Sequence, residues 1–202
     1  MAYSDFTLPR LHREFDLEIV EEPDLFSEVG AVEVDPVLRG LLEVQVPLAA
    51  GLSTEKARSE LIVAPVLMDV LRRMRGRLGF FSGVEFDVDE SRGLKGYCDY
   101  LLTKSPSVFI VLAPVLAIVE AKNENMKAGL GQCVAEMVAA QVFNEREGEG
   151  PAVIYGAVTT GTNWRFAKLE GKIVSLDRRE YHIDEIGMIL AILLACVGGI
   201  SR

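Results

Sequence analysis

The chain has 202 residues, half of them hydrophobic, with 30 acidic against 21 basic side chains and a formal charge of −9. So apolar a composition excludes a disordered chain. The acidic excess excludes a protein that grips nucleic acid over its whole surface, although a local basic patch or a bound divalent cation leaves nucleic acid open as a partner.

Residues 1–52 mix acidic and apolar positions and read as a lead-in of short helices and an extended piece, packed on the domain formed by residues 53–202. The opening MAYSDFTLPRLHREFDLE has no basic start followed by an apolar run, so no signal peptide is expected. Ser53-Thr54-Glu55 offers a capping hydroxyl and a first-turn acid for a helix running to about Arg77, with Pro65 expected to kink it. Phe80 to Asp87 and Lys95 to Leu102 read as a hairpin around the turn 89–93. Two apolar runs follow, Val108–Leu112 and Val115–Ala121. The second is short, continuous and rich in β-branched residues, as a central strand should be. Met126, Leu130, Val134, Met137, Val138 and Val142 fall at helical spacing. Ala152–Thr159, Trp164–Leu169 and Lys172–Leu176 read as strands, and a last helix begins near Asp184. The apolar stretch Ile186–Ile200 is shorter than the ~20 residues a membrane helix needs, so it reads as a buried helix or an oligomer interface. Its apolarity on every side gives the expectation of a homodimer. The order of elements predicts α/β architecture, a mixed sheet flanked by helices.

Cys98, Cys133 and Cys196 are far apart and sit among apolar neighbours, so reduced core thiols in a cytoplasmic protein are expected. With only His12 and His182, a His-based metal centre or triad has little to draw on. The informative segment is Ala117-Ile118-Val119-Glu120-Ala121-Lys122. Alternate side chains of a strand share a face, so Glu120 and Lys122 project together from an otherwise apolar run. A carboxylate that holds a hard cation, with an ammonium beside it, suits metal-assisted phosphodiester hydrolysis. Taken alone, the tripeptide reads equally as a solvated strand end with an ion pair. Asp99 is a second isolated acid on the neighbouring strand, where it can share an ion with Glu120. Glu60 lies on the first long helix, either near this site or paired with Lys56 four residues earlier. Gln132 opens the helix after the strand, with Glu136 one turn on.

The ordered set Glu60, Asp99, Glu120-Ala121-Lys122 and Gln132 resembles the PD-(D/E)xK, or restriction-endonuclease-like, phosphodiesterase superfamily over residues 53–176. The stretch from Tyr155 to Phe166 is similar to the strand–turn–strand of nuclease domains in type I restriction enzymes. The resemblance implies Mg²⁺ or Mn²⁺ held by Asp99, Glu120 and the Ala121 carbonyl. It also implies that Lys122 positions water, Glu60 supports the metal shell, and Gln132 steadies Lys122 or a phosphate. Cys98 stands where many members carry Pro before the Asp, and no separate DNA-recognition domain is visible. Arg72, Arg73, Arg75 and Arg77 are the phosphate-contact candidates. The expected activity is metal-dependent hydrolysis of DNA or RNA. The alternative is a non-catalytic interaction protein on the same fold.

Overall fold

The computed structural model describes residues 1–22, 24–148 and 153–198. The expected strand start at Ala152 and tail residues 199–200 lie outside the described residues. The helices are α1 (Leu8–Phe15), α2 (Pro36–Leu52), α3 (Glu55–Arg58), α4 (Ala64–Met74), α5 (Met126–Arg146) and α6 (Ile186–Cys196). The strands are β1 (Glu18–Glu22), β2 (Gly79–Glu85), β3 (Tyr97–Thr103), β4 (Val115–Ala121), β5 (Val153–Thr159), β6 (Asn163–Glu170), β7 (Ile173–Asp177) and β8 (Tyr181–His182).

The strands form one open mixed sheet in the order β1-β7-β6-β5-β4-β3-β2, with β8 paired to β6. Strand β3 runs antiparallel to both of its neighbours, β2 and β4. Helix α5 then carries the chain back to β5, which lies parallel to β4. Every residue of β4 is buried, as its continuous apolar run predicts for a strand covered on both faces. Its side chains divide between two cores. Ala117, Val119 and Ala121 pack with α2, α4 and α6, whereas Ile118 packs with α1 and α5. Helix α5 lies between the sheet and the N-terminal segment, which explains why it is apolar nearly all round.

Three expectations change. The expected long helix is α3 and α4 joined by a π-helical turn, Ser59–Val63, in which the Ala64 N–H reaches back to the Ser59 carbonyl. This wide turn accommodates Pro65, whose ring removes one helical hydrogen bond. The apolar run Val108–Leu112 is a surface loop, with Phe109 94 % exposed. Residues 1–52 contribute β1, an edge strand of the main sheet, and a 17-residue helix, α2.

Helix α6 is buried within this chain, with Ile189, Leu190, Ala191 and Ile192 inaccessible to solvent. Its apolarity is therefore satisfied internally and gives no ground for self-association. Among the described residues, no helix is long and apolar enough to cross a membrane.

Candidate active site

The site forms where the β3–β4 ladder ends. Tyr100 pairs with Val119 and Leu101 with Ile118; one step further, this register sets Asp99 opposite Glu120. Facing residues of an antiparallel pair share a side of the sheet, with Cβ atoms about 5 Å apart. The backbone ladder is replaced there by a side-chain bond, because the Ala121 N–H donates to Asp99 Oδ2 at 2.8 Å. On the other flank, Gly83 of β2 falls opposite Asp99, between the pairs Ser82–Tyr100 and Val84–Cys98. Its φ of 60° is open to glycine and strained for other residues, and no neighbour lies within 4 Å of where a Cβ would sit. Gly83 thus leaves the strand open over Asp99.

Glu120 is 1 % exposed, and its Oε2 has no hydrogen-bond partner among the described residues. Its Oε1 forms an ion pair with Lys122 Nζ at 2.5 Å, while Oε2 has no such pair. Burial, then the charge of Asp99, pushes the Glu120 carboxyl up to about 8, against the pull of Lys122. Burial also raises Asp99, opposed by the Ala121 N–H and by Lys122. For Lys122, burial acts downward, but the neighbouring carboxylates override it and its pKa is raised.

A cleft of about 280 Å³ opens on this corner, lined among others by Glu55, Ser59, Glu60, Gly83, Asp99 and Ala121. A larger concavity between α1 and β1, lined by Leu8, His12 and Lys172 among others, lies away from these acids. Ser59, in the π-turn, is tied to β3 through the Tyr100 hydroxyl, 2.6 Å from Ser59 Oγ. Arg58 fixes the helix to the far wall by donating to Asn123 Oδ1 at 3.1 Å and to the Thr160 carbonyl at 3.0 Å.

The expected residues therefore divide. Asp99, Glu120 and Lys122 come together. Glu60 lines the cleft, but its exposed carboxylate pairs with Lys56 at 2.7 Å. The acid of the first helix whose charge acts on Asp99, Glu120 and Lys122 is Glu55. Gln132 donates to Glu136 Oε1 at 3.0 Å. Glu136 is fully buried, and burial together with the charge of Glu120 raises its carboxyl well above the usual range. Sequence reading noted Glu136 without giving it a role; an acid among Cys133, Val134, Ala135, Met137 and Val138 was the available signal. Gly129 was also missed. A Cβ there would meet Val158 Cγ1 at 2.6 Å and Lys122 Cγ at 2.9 Å, so glycine makes room for the lysine stem.

Three of the four arginines proposed for phosphate contact are engaged elsewhere, Arg77 by donating to the Met74 carbonyl at 3.0 Å. Arg72 pairs with Asp69 and Asp35, and Arg73 with Asp69. Burial raises the thiols of Cys98 and Cys133, consistent with inert core residues.

Among the described residues, no group of three or more His, Cys, Asp or Glu side chains is arranged to hold a metal ion. The donors present are two adjacent carboxylates and backbone carbonyls. That set suits a hard cation that keeps most of its own water, as Mg²⁺ does. The unpartnered buried oxygen of Glu120 is the feature such an ion would satisfy. No family model, curated protein or solved structure matches this chain. The functional reading accordingly rests on the geometry of the chain itself.

Proposed function

We propose that the protein is a divalent-cation-dependent phosphodiesterase that hydrolyses nucleic acid, on a restriction-endonuclease-like arrangement. The observation that carries this reading is the buried Glu120 carboxylate, with one oxygen unpartnered, facing Asp99 across the strand pair and ion-paired with Lys122. The succession of a helical segment with Glu60, a hairpin strand with Asp99, a strand ending at Glu120 and Ala121, and a helix with Gln132 supports it, being the order of elements the PD-(D/E)xK resemblance implies.

Asp99, Glu120 and the Ala121 carbonyl would hold Mg²⁺ or Mn²⁺. When bound, the cation supplies charge neutralisation at the phosphoryl oxygens and a more acidic water. Lys122 has a raised pKa and stays an ammonium at neutral pH, so it serves as a donor that orients water or a phosphoryl oxygen, not as a base. The Ala121 N–H holds Asp99 in place, and Glu55 adds negative charge on the cleft wall. The same charge repels a bare phosphate backbone, so substrate binding is expected to require the cation.

The test is cleavage of single- and double-stranded DNA and RNA by wild type and Lys122→Ala, with Mg²⁺ and Mn²⁺ titrated. Metal-dependent cutting that falls at least ~100-fold in the variant is expected. No cutting of any substrate, together with no cation binding that depends on Asp99 and Glu120, would overturn the reading. The non-catalytic alternative would then stand, and the exposed apolar face of α2 is what favours it.

A further inference from the structure

Helix α2 has two apolar faces where a surface helix ordinarily has one. Leu38, Leu42 and Ala49 are buried in the core. Val37, Leu41, Val44, Leu48 and Leu52 form a second stripe, 44–71 % exposed, that runs the length of the helix. Seventeen residues make this stripe about 25 Å long. Met68 of α4, also exposed, lies beside Val37 and Leu41 around a shared groove.

Gly40 and Gly51 lie on the same stripe, three residues beyond Val37 and Leu48 respectively. Glycine is a poor interior helix residue, and neither position has a positive φ. A Cβ at either would meet nothing within 4 Å, so packing within this chain does not call for glycine at these places. A closely approaching helix from outside would.

We propose that the outer face of α2 is a homodimer interface, in which two copies of the helix pack antiparallel about a two-fold axis at Val44. The sequence is self-complementary about that residue. Four positions to either side stand Gly40 and Leu48, and seven positions to either side stand Val37 and Gly51. The two-fold therefore sets each Leu48 against the partner's Gly40 and each Val37 against the partner's Gly51, large against small. An isologous interface requires this kind of self-matching patch. Charge permits the approach, because the only ionisable residues of α2 are Arg39 and Glu43, of opposite sign, in a chain of net charge −9. The stripe and Met68 expose on the order of 500–600 Å² per copy, and pairing would bury about 1,000–1,200 Å² in all, at the lower bound of stable interfaces. This interface does not depend on the catalytic reading.

Sedimentation equilibrium of the full chain from about 1 to 200 μM tests the proposal. Wild type is expected to pass from 22.2 kDa to twice that mass over this range. Val44→Glu is expected to weaken the dimer by more than about 100-fold while keeping the wild-type circular dichroism. Gly40→Leu places a side chain in open space of the monomer but against Leu48 of the partner, so it should weaken the dimer at least ~10-fold without lowering Tm. A monomer throughout the range overturns the proposal. So does a dimer indifferent to both substitutions. Neutral phosphatidylcholine vesicles provide the remaining arm: a monomer whose flotation with them is lost in Val44→Glu would assign the stripe to a lipid surface and also overturn it.

Discussion

Three side chains would carry the proposed chemistry, and each stands out because it violates its surroundings. Asp99, Glu120 and Lys122 are isolated charges in strands otherwise built from apolar residues, which is why they were legible in the sequence. Glu136 was not, since a polar position on a periodic helix reads as solvent-facing until a second layer is known to cover it. The buried acids carry a pH signature. In metal-free protein the Glu120 carboxyl ionises near 8 when folded, against 4.5 as its ordinary value. The unfolded chain releases this proton first as pH rises. Stability from this group is therefore complete below about pH 4.5, declines between 4.5 and 8, and stays lost above. The pull of Lys122 is already contained in this shift, which puts on the order of 5 kcal/mol at stake as an upper bound, enough to move Tm by several degrees in a domain this size. Glu120→Gln, in chelator, should remove that decline from a melting series. Mg²⁺ should raise the wild-type Tm more at pH 8 than at pH 5, because it binds the ionised carboxylate. An equal Mg²⁺ effect in Glu120→Gln would show that the ion binds elsewhere.

At the scale of elements, the site is set by how closely α5 lies on β4 and β5. Gly129 permits that approach over Lys122 and Val158, and Gly156 permits it under Cys133 and Met137. Gly129→Ala is expected to cost about 1–3 kcal/mol through overpacking and to displace the lysine, lowering cleavage at least ~10-fold. A variant with lowered Tm but unchanged cleavage would separate Gly129 from the position of Lys122. Strands β3, β4 and β6 were legible because β-branched and aromatic runs bounded by turn residues have few other uses. Helix α2 was not read as one element, since Gly40, Pro47 and Gly51 each argue against a helix interior. The better signal was Asp35-Pro36, a capping carboxylate that accepts from the Val37 N–H at 2.8 Å, followed by proline in the first turn. Pro47 is tolerated on the solvent side, where water can satisfy the freed carbonyl. Val108–Leu112 shows the converse: apolarity signals a demand for burial, which a loop between Pro106 and Pro114 meets only at Val111, packed against the second core.

For the molecule as a whole, the apolar surplus evident in the composition is placed in two cores and two exposed patches. Helix α6, expected to join copies, lies in the first core and places Leu190 beyond solvent reach. Leu190→Ala should therefore destabilise by about 2–5 kcal/mol without changing oligomeric state. Loss of association at an unchanged Tm would return α6 to an interface role. The mixed sheet was legible from the order of elements, but its edge was not. Strand β1 belongs to the sheet only through β7, and local sequence does not encode so distant a partner.

That pairing joins Glu18–Glu22 to Ile173–Asp177, partners 155 positions apart in the sequence. During synthesis at about 5–20 residues per second, β1 waits roughly 8–30 s for its partner to emerge. Its composition suits the delay, since Glu18, Glu21 and Glu22 flank the sticky pair Ile19-Val20 and discourage premature pairing with other nascent strands. The edge of the open sheet is thus completed only when the later-made β7 is available, and acids that read as unremarkable surface charge keep β1 unpaired until then.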